Sequence, residues 1–497
     1  MARLIPYNQQ NPTNNTLFIL TGGPGESGWT FILYAAYLFP PSDGITIILP
    51  DHRGIGLSTS LSCDDSGSQN INVNCISYLT SKWTIDGLNQ FSITSAAHDL
   101  SVQIRYYQSI VSSRIAVFGM SYGTIWLDRF LQIYPNLVQA AIMDSVVNPI
   151  LMSFSRYDHW ASLVATKFLA YCQLQTECNR YFPANEPPQI MLPRMLKELN
   201  ENNQCCVNEH FSQYQLTANK LRNIFSRMMY SSESFYDRTV IPAVIFRLNR
   251  CNQDDVTVLK FFFQTVLGIQ NSTESENVTI PSLLGSAILG ENIIQSELWL
   301  GQNEEEVDIE TISSWHNSTL ISSKDPTLDI SLRSKWPKYP LDEYYHKVAT
   351  NSTVLMLAGQ LDPAAHMDYA IHLATLTAKT RTFYSFPLIG HIVILIAQFG
   401  YQCPLKLISA WAFPNLFPSN WSDPSCVQEF PTTINFIGTD EGGEYASMKY
   451  FNISKPFDNL NSTIVPNSTI VPNSSIPATD VYNLFIYFAL VFLTLFV

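Results

Sequence analysis

Gly119-Met120-Ser121-Tyr122-Gly123 sets a serine between two glycines, after the apolar run Ile115–Phe118 and before the amphipathic stretch Tyr122–Tyr134. A strand-to-helix turn of this kind exposes a serine hydroxyl for attack on an acyl carbon, with the helix N-terminus facing the developing negative charge. Such a serine needs a base and an acid that orients the base, and both follow it in the chain, acid first. Asp362 stands in Gly359-Gln360-Leu361-Asp362-Pro363 after the apolar run Thr353–Leu357. His391 stands in Gly390-His391 after Thr382–Phe386, 29 residues beyond Asp362, about one strand–helix–strand unit. Asp144, at the end of the run Ala140–Met143, is the rival acid, and His366 the rival base, although it stands close to Asp362. The attacked carbonyl also needs two backbone donors. The amide of Tyr122 is one; Gly23, in the turn Gly22-Gly23-Pro24-Gly25, supplies the other. A phosphate-binding loop is rejected for that turn, because no Lys-Ser/Thr follows and Pro24 removes a donor. No Cys-x-x-Cys or His-Glu-x-x-His pattern points to zinc.

The elements that must position these residues are short apolar runs alternating with helical stretches. Thr16–Leu20, Thr46–Leu49, Ile115–Phe118, Ala140–Met143, Thr353–Leu357 and the more polar Thr382–Phe386 read as strands of a parallel sheet. Ser95–Val111, capped by Thr94 or Ser95, and Tyr122–Tyr134 read as helices between them. The fold class is α/β, with site loops at the carboxyl ends of the strands. Helical runs Trp160–Leu174, Met191–Leu199 and Gln215–Tyr230 interrupt the strand series and suggest an inserted cap. The expected division is a core over 1–149, a mainly helical cap over 150–340, the rest of the core over 341–450, a glycosylated linker over 451–480 and an apolar tail over 481–497.

Composition narrows the function classes. Lys+Arg 28 against Asp+Glu 41 gives a net charge of −13, and no stretch is strongly basic, so nucleic acid is not an expected partner. Asn-x-Ser/Thr acceptors stand at Asn14, Asn271, Asn277, Asn317, Asn351, Asn420, Asn452, Asn461, Asn467 and Asn473. Of nine cysteines, Cys63/Cys75, Cys172/Cys178 and Cys403/Cys426 are close pairs, which suggests disulfides and an oxidising compartment; the odd total leaves one thiol over. Leu484–Val497 carries no charge and is short for a bilayer span. Small residues at Asn473, Ser474 or Ser475, a spacer and this tail fit a GPI-attachment signal; a tail-anchored helix from about Val481 is the alternative. The first residues hold no apolar leader, so a missing first segment is expected of a surface protein tethered to a membrane by its C-terminal tail.

Taken in order, Gly22-Gly23-Pro24-Gly25, Asp51-His52-Arg53-Gly54-Ile55-Gly56-Leu57-Ser58, Gly119-Met120-Ser121-Tyr122-Gly123, Gly359-Gln360-Leu361-Asp362-Pro363 and Gly390-His391 resemble the prolyl aminopeptidase and tripeptidyl aminopeptidase family of α/β-hydrolase serine peptidases. The resemblance covers about residues 15–440, and from Asn351 onward it is similar to the tripeptidyl branch. It implies an α/β-hydrolase fold with a helical cap, Ser121 as nucleophile, Asp362 as acid and His391 as base. It also implies peptide substrates cut near a free N-terminus, with no metal and no cofactor. Thr21 stands where the prolyl enzymes carry histidine, and only about 20 residues precede the glycine-rich turn where the family has an extra strand pair. Enzymes of this kind hold the substrate ammonium on a carboxylate, and Glu297 is the candidate. The alternatives are a carboxylesterase or lipase on the same fold, or an inactive surface scaffold.

Overall fold

The computed structural model describes residues 2–4, 14–230, 232–268, 285–323 and 331–460. Among the described residues seven strands make one sheet: β1 (Ala2–Leu4), β2 (Asn15–Leu20), β3 (Thr46–Leu49), β4 (Arg114–Met120), β5 (Ala140–Asp144), β6 (Val354–Gly359) and β7 (Arg381–Phe386). Their order is β1-β3-β2-β4-β5-β6-β7. β2 to β7 are parallel, and β1 pairs antiparallel with β3, Arg3 opposite Ile48. The six expected strands are all present, most with an added residue or two at an end. The strand at residues 2–4 had no counterpart in the sequence reading.

Strand side chains alternate between the faces, and both faces are buried. Phe18, Val117, Met143 and Met356 pack on one face under the helices Val73–Asn89, Ile93–Ile110 and Tyr122–Ile133. Leu17, Ile19, Phe118, Ile142 and Leu355 fill the other. The cap helices Tyr157–Leu174, Pro188–Asn200, Ala218–Tyr230, Ile241–Arg250 and Gln253–Val266 bury their apolar sides in that same second cluster. The inserted segment is therefore continuous with the core beneath it.

Ile93–Ile110 starts earlier than expected. Ser92, not Thr94 or Ser95, is its cap and accepts from Ser95 N, while Thr94 Oγ1 turns to Asp342. Several helices had no counterpart in the sequence reading, among them Val73–Asn89 and Gln253–Val266. Val73–Asn89 bends at Thr84 (φ 57°), which breaks its period, and Gln253–Val266 starts at a polar capping box on Asn252 and Asp255. Four disulfides form: the three expected pairs and Cys206–Cys251, which leaves Cys205 free and exposed. Asn14, Asn317, Asn351, Asn420 and Asn452 are exposed; Asn271, Asn277, Asn461, Asn467, Asn473 and the apolar tail lie outside the described residues. Among the described residues no helix is long and apolar enough to cross a membrane.

A buried ion pair joins the two halves of the core. Asp128, in the helix after Ser121, accepts from Arg381 Nη2 at 2.5 Å and from Ala349 N at 2.9 Å. Arg381 opens β7, the strand that leads to His391. Arg381→Met leaves the Asp128 carboxylate buried without its counter-charge and is expected to cost about 3–5 kcal/mol, read as a lower urea midpoint. Adding Asp128→Leu should restore most of the loss.

Candidate active site

The elbow is built by close contact. Ser121 stands at φ 54°, ψ −125°, between the end of β4 and the first residue of the helix Tyr122–Ile133. A Cβ on Gly119 would fall 2.4 Å from Gly123 O, and one on Gly123 would fall 2.3 Å from Leu20 O. Both glycines are required because the turn presses its backbone against itself and against β2.

Asp362 and His391 come together beyond β6 and β7. His391 Nδ1 donates to the Asp362 carboxylate, at 2.9 and 2.8 Å from its two oxygens. Asp362 Oδ1 also accepts from the amides of Ala364 and Ala365, both at 2.8 Å, which fixes the acid before it meets the ring. Burial alone would lower the imidazole pKa, but the charge and hydrogen bond of Asp362 outweigh it and hold the pKa above 6.5. Nε2 is buried without a protein partner, so it is available to take a proton. The ring of Tyr230 packs 4.9 Å from the His391 ring, and Tyr230 lines one small pocket of about 50 Å³ with Ser121, Tyr122, Gly23 and Ala364.

The rivals have other duties. Asp144 accepts from the amides of Val393 and Ile394, both at 2.8 Å, so it positions the segment after His391 and not the ring. Burial pushes its carboxyl up to about 6. His366 Nδ1 accepts from Asp368 N at 3.3 Å at the start of the helix Met367–Leu376, with its ring against Trp160.

Gly23 (φ +106°) and the N-terminus of the helix at Tyr122 border the same pocket as Ser121. The glycine-rich turn is held from two sides. Asp51 accepts from Ser27 Oγ at 2.6 Å, Gly28 N at 3.1 Å and Leu57 N at 3.0 Å. From the cap, Ser286 N donates to Gly25 O at 2.9 Å, and Gly290 sits so close that a Cβ there would be 2.8 Å from Pro24 O. His52, between Asp51 and Arg53, is buried and its pKa falls to about 4, so it stays neutral.

The expectation for Glu297 requires correction. Its carboxylate is only 5 % exposed. It accepts from Tyr339 Oη at 2.6 Å and Ile93 N at 3.0 Å and lies 3.5 Å from the Arg129 guanidinium. Its oxygens are committed to the joint between cap and core, so it is not the holder of a substrate amine. Glu26, which the sequence reading passed over, stands at the site instead. A Cβ built on Gly22 would be 3.4 Å from both Ser121 Oγ and Glu26 Oε2, so the two oxygens flank one glycine. Much of the Glu26 surface is open, yet its carboxyl is the crowded end; desolvation raises its pKa against the opposing pull of His391 and the Gly22 amide. Its sequence signal was its place directly after Gly25. Tyr157 and Tyr230, from the cap, had no such signal.

A family model described as alpha/beta hydrolase fold matches residues 15–187. Among solved structures, a proline iminopeptidase from Mycobacterium smegmatis is 14% identical, with 84% of this chain and 94% of that chain covered and a TM-score of 0.36. An esterase from Exiguobacterium antarcticum is 11% identical, with 81% and 93% covered and a TM-score of 0.34. The epoxide hydrolase CorEH is 14% identical, with 82% and 93% covered and a TM-score of 0.31. No curated protein sequence matches the chain. The fold is the expected α/β-hydrolase fold.

A base whose pKa lies above 6.5 must lose activity as the pH falls through that value. Turnover of an activated ester should therefore show an acid limb above pH 6.5. Asp362→Asn should lower kcat/KM by about 10⁴-fold and move the limb to lower pH, as a pH–rate series would read.

Proposed function

We propose that the chain is a serine hydrolase that forms an acyl-enzyme through Ser121, with His391 as base and Asp362 as the acid that orients it. One observation carries this reading: a serine on a positive-φ elbow borders a pocket with Tyr230, whose ring packs on a histidine already bound to a buried carboxylate. The chemistry follows from the parts. Nε2 takes the hydroxyl proton as Ser121 Oγ attacks the carbonyl, and the imidazolium is stabilised by Asp362. The amides of Tyr122 and Gly23 receive the oxyanion. His391 returns the proton to the leaving group, and water then repeats the sequence on the ester.

We further propose an aminopeptidase, acting on peptides with a free N-terminus. Glu26 supports that choice, because a carboxylate beside the nucleophile attracts a substrate ammonium and repels a free carboxylate. The room beyond Ser121 suits a bulky side chain. Phe154, Tyr157 and Tyr230 are shared between the small pocket and a cavity of about 290 Å³ that continues to Trp299 and Trp315. The four disulfides and the exposed glycan acceptors suit a secreted or surface location, with the C-terminal tail as the proposed membrane tether.

A fluorophosphonate should label Ser121, as tryptic mapping would locate, and the label should be lost in Ser121→Ala and His391→Ala. No label on folded protein would favour an inactive scaffold. Glu26→Gln should raise KM about tenfold or more for unblocked aminoacyl amides and leave N-blocked esters nearly unchanged. Equal effects on both substrates would favour the esterase reading.

A further inference from the structure

Away from Ser121, a cavity of about 440 Å³ lies between the segment 235–239, Leu388 in the turn after β7 and the loop 431–440. None of its lining residues borders the Ser121 pocket or the aromatic cavity beside it. Arg238 is in its wall and is only 1 % exposed. Its Nη2 donates to Leu388 O, while Nε and Nη1 have no partner. The guanidinium is flanked by the rings of Phe168 and Phe235, at 5.8 and 5.3 Å. Among the described residues no carboxylate pairs with it. The two acids at the cavity are engaged elsewhere: Glu177 lies 3.1 Å from Arg180, and Asp440 accepts from Gly443 N at 2.7 Å as a helix cap. Burial without a counter-charge pulls the Arg238 pKa down to about 10.

A second donor meets the first. Gln175 Nε2, also in the wall, is buried with no partner. Arg238 and Gln175, from two elements, thus line one space, and each holds buried donors with no protein partner. A buried unpaired guanidinium costs several kcal/mol, and water alone supplies dipoles but no charge. The volume falls within the range of small-molecule sites.

We propose that this cavity binds a small organic carboxylate, held by Arg238 and Gln175, with its apolar body against Tyr236, Tyr401 and Phe436. One guanidinium matches one negative charge, and the aromatic walls suit a ligand with an apolar body rather than inorganic phosphate. The proposal stands apart from the catalytic reading. The site adjoins the base all the same, since Leu388, which Arg238 holds, is three residues before His391, and Ser232 N donates to His391 O at 2.8 Å.

The test is thermal unfolding of the full, disulfide-intact chain titrated with phenylacetate and with its neutral analogue phenylacetamide, at fixed ionic strength and pH 7. Phenylacetate should raise Tm saturably and phenylacetamide should not. Arg238→Met should abolish the response while leaving the unliganded chain at least as stable. Gln175→Leu, which removes a donor but no charge, should weaken the apparent Kd by about tenfold and keeps the test open if Arg238→Met fails to fold. No saturable shift with phenylacetate, an equal shift with phenylacetamide, or an unchanged response in Gln175→Leu would overturn the proposal.

Discussion

The backbone of Ser121 is the constraint on which the rest depends. A non-glycine residue at φ 54°, ψ −125° is held at a cost of order 1–3 kcal/mol, and it persists only when its surroundings leave no alternative. Here β4 fixes it from one side and the helix Tyr122–Ile133 from the other. Gly119, Gly123 and Gly22 supply the space, since each would carry a Cβ into a neighbour. Parallel pairing of β4 with β5, β6 and β7 then brings the loops of Asp362 and His391 to the same edge of the sheet as the serine.

The surrounding polar groups hold that edge in shape. Asp51 binds Ser27 and Gly28, just past the glycine-rich turn, and the amide of Leu57, and Gly56 is glycine because a Cβ there would lie 2.4 Å from the Asp51 carboxylate. The signature around Asp51-His52-Arg53-Gly54 is thus a bracket, completed by Arg53, whose guanidinium grips Asp99 through two 2.6 Å contacts. Asp144 does the same for the segment after His391. Glu297 with Arg129, and Asp128 with Arg381, are buried pairs that join cap to core and nucleophile helix to β7. Most acidic residues near the site therefore position backbone or neutralise arginine.

Two charged groups break that pattern. Glu26 stands beside the serine with no basic side chain paired to it among the described residues, and Arg238 lies buried with two nitrogens unmatched. A charged group without an opposite charge beside it is a candidate for contact with a ligand. The two have opposite signs, and the proposed amine and carboxylate contacts rest on them.

The sequence by itself determined the sheet, the elbow and the order serine, acid, base. Those features are written in local patterns: four to six apolar residues make a buried strand, and glycine marks where no Cβ fits. Three disulfides were legible for the same reason, because their cysteines are 6, 12 and 23 residues apart. Cys206–Cys251, across 45 residues, was not. Tertiary structure alone decided which carboxylates are free. Glu297 looked available until Arg129, 168 residues away, was packed against it; Glu26 looked ordinary until β2 and β4 set it beside Ser121. Asp144 became a backbone anchor only when Val393 and Ile394 were folded over it, some 250 residues along the chain. A side chain's partners are fixed by contacts between distant segments, and no short window of sequence contains both members of such a pair.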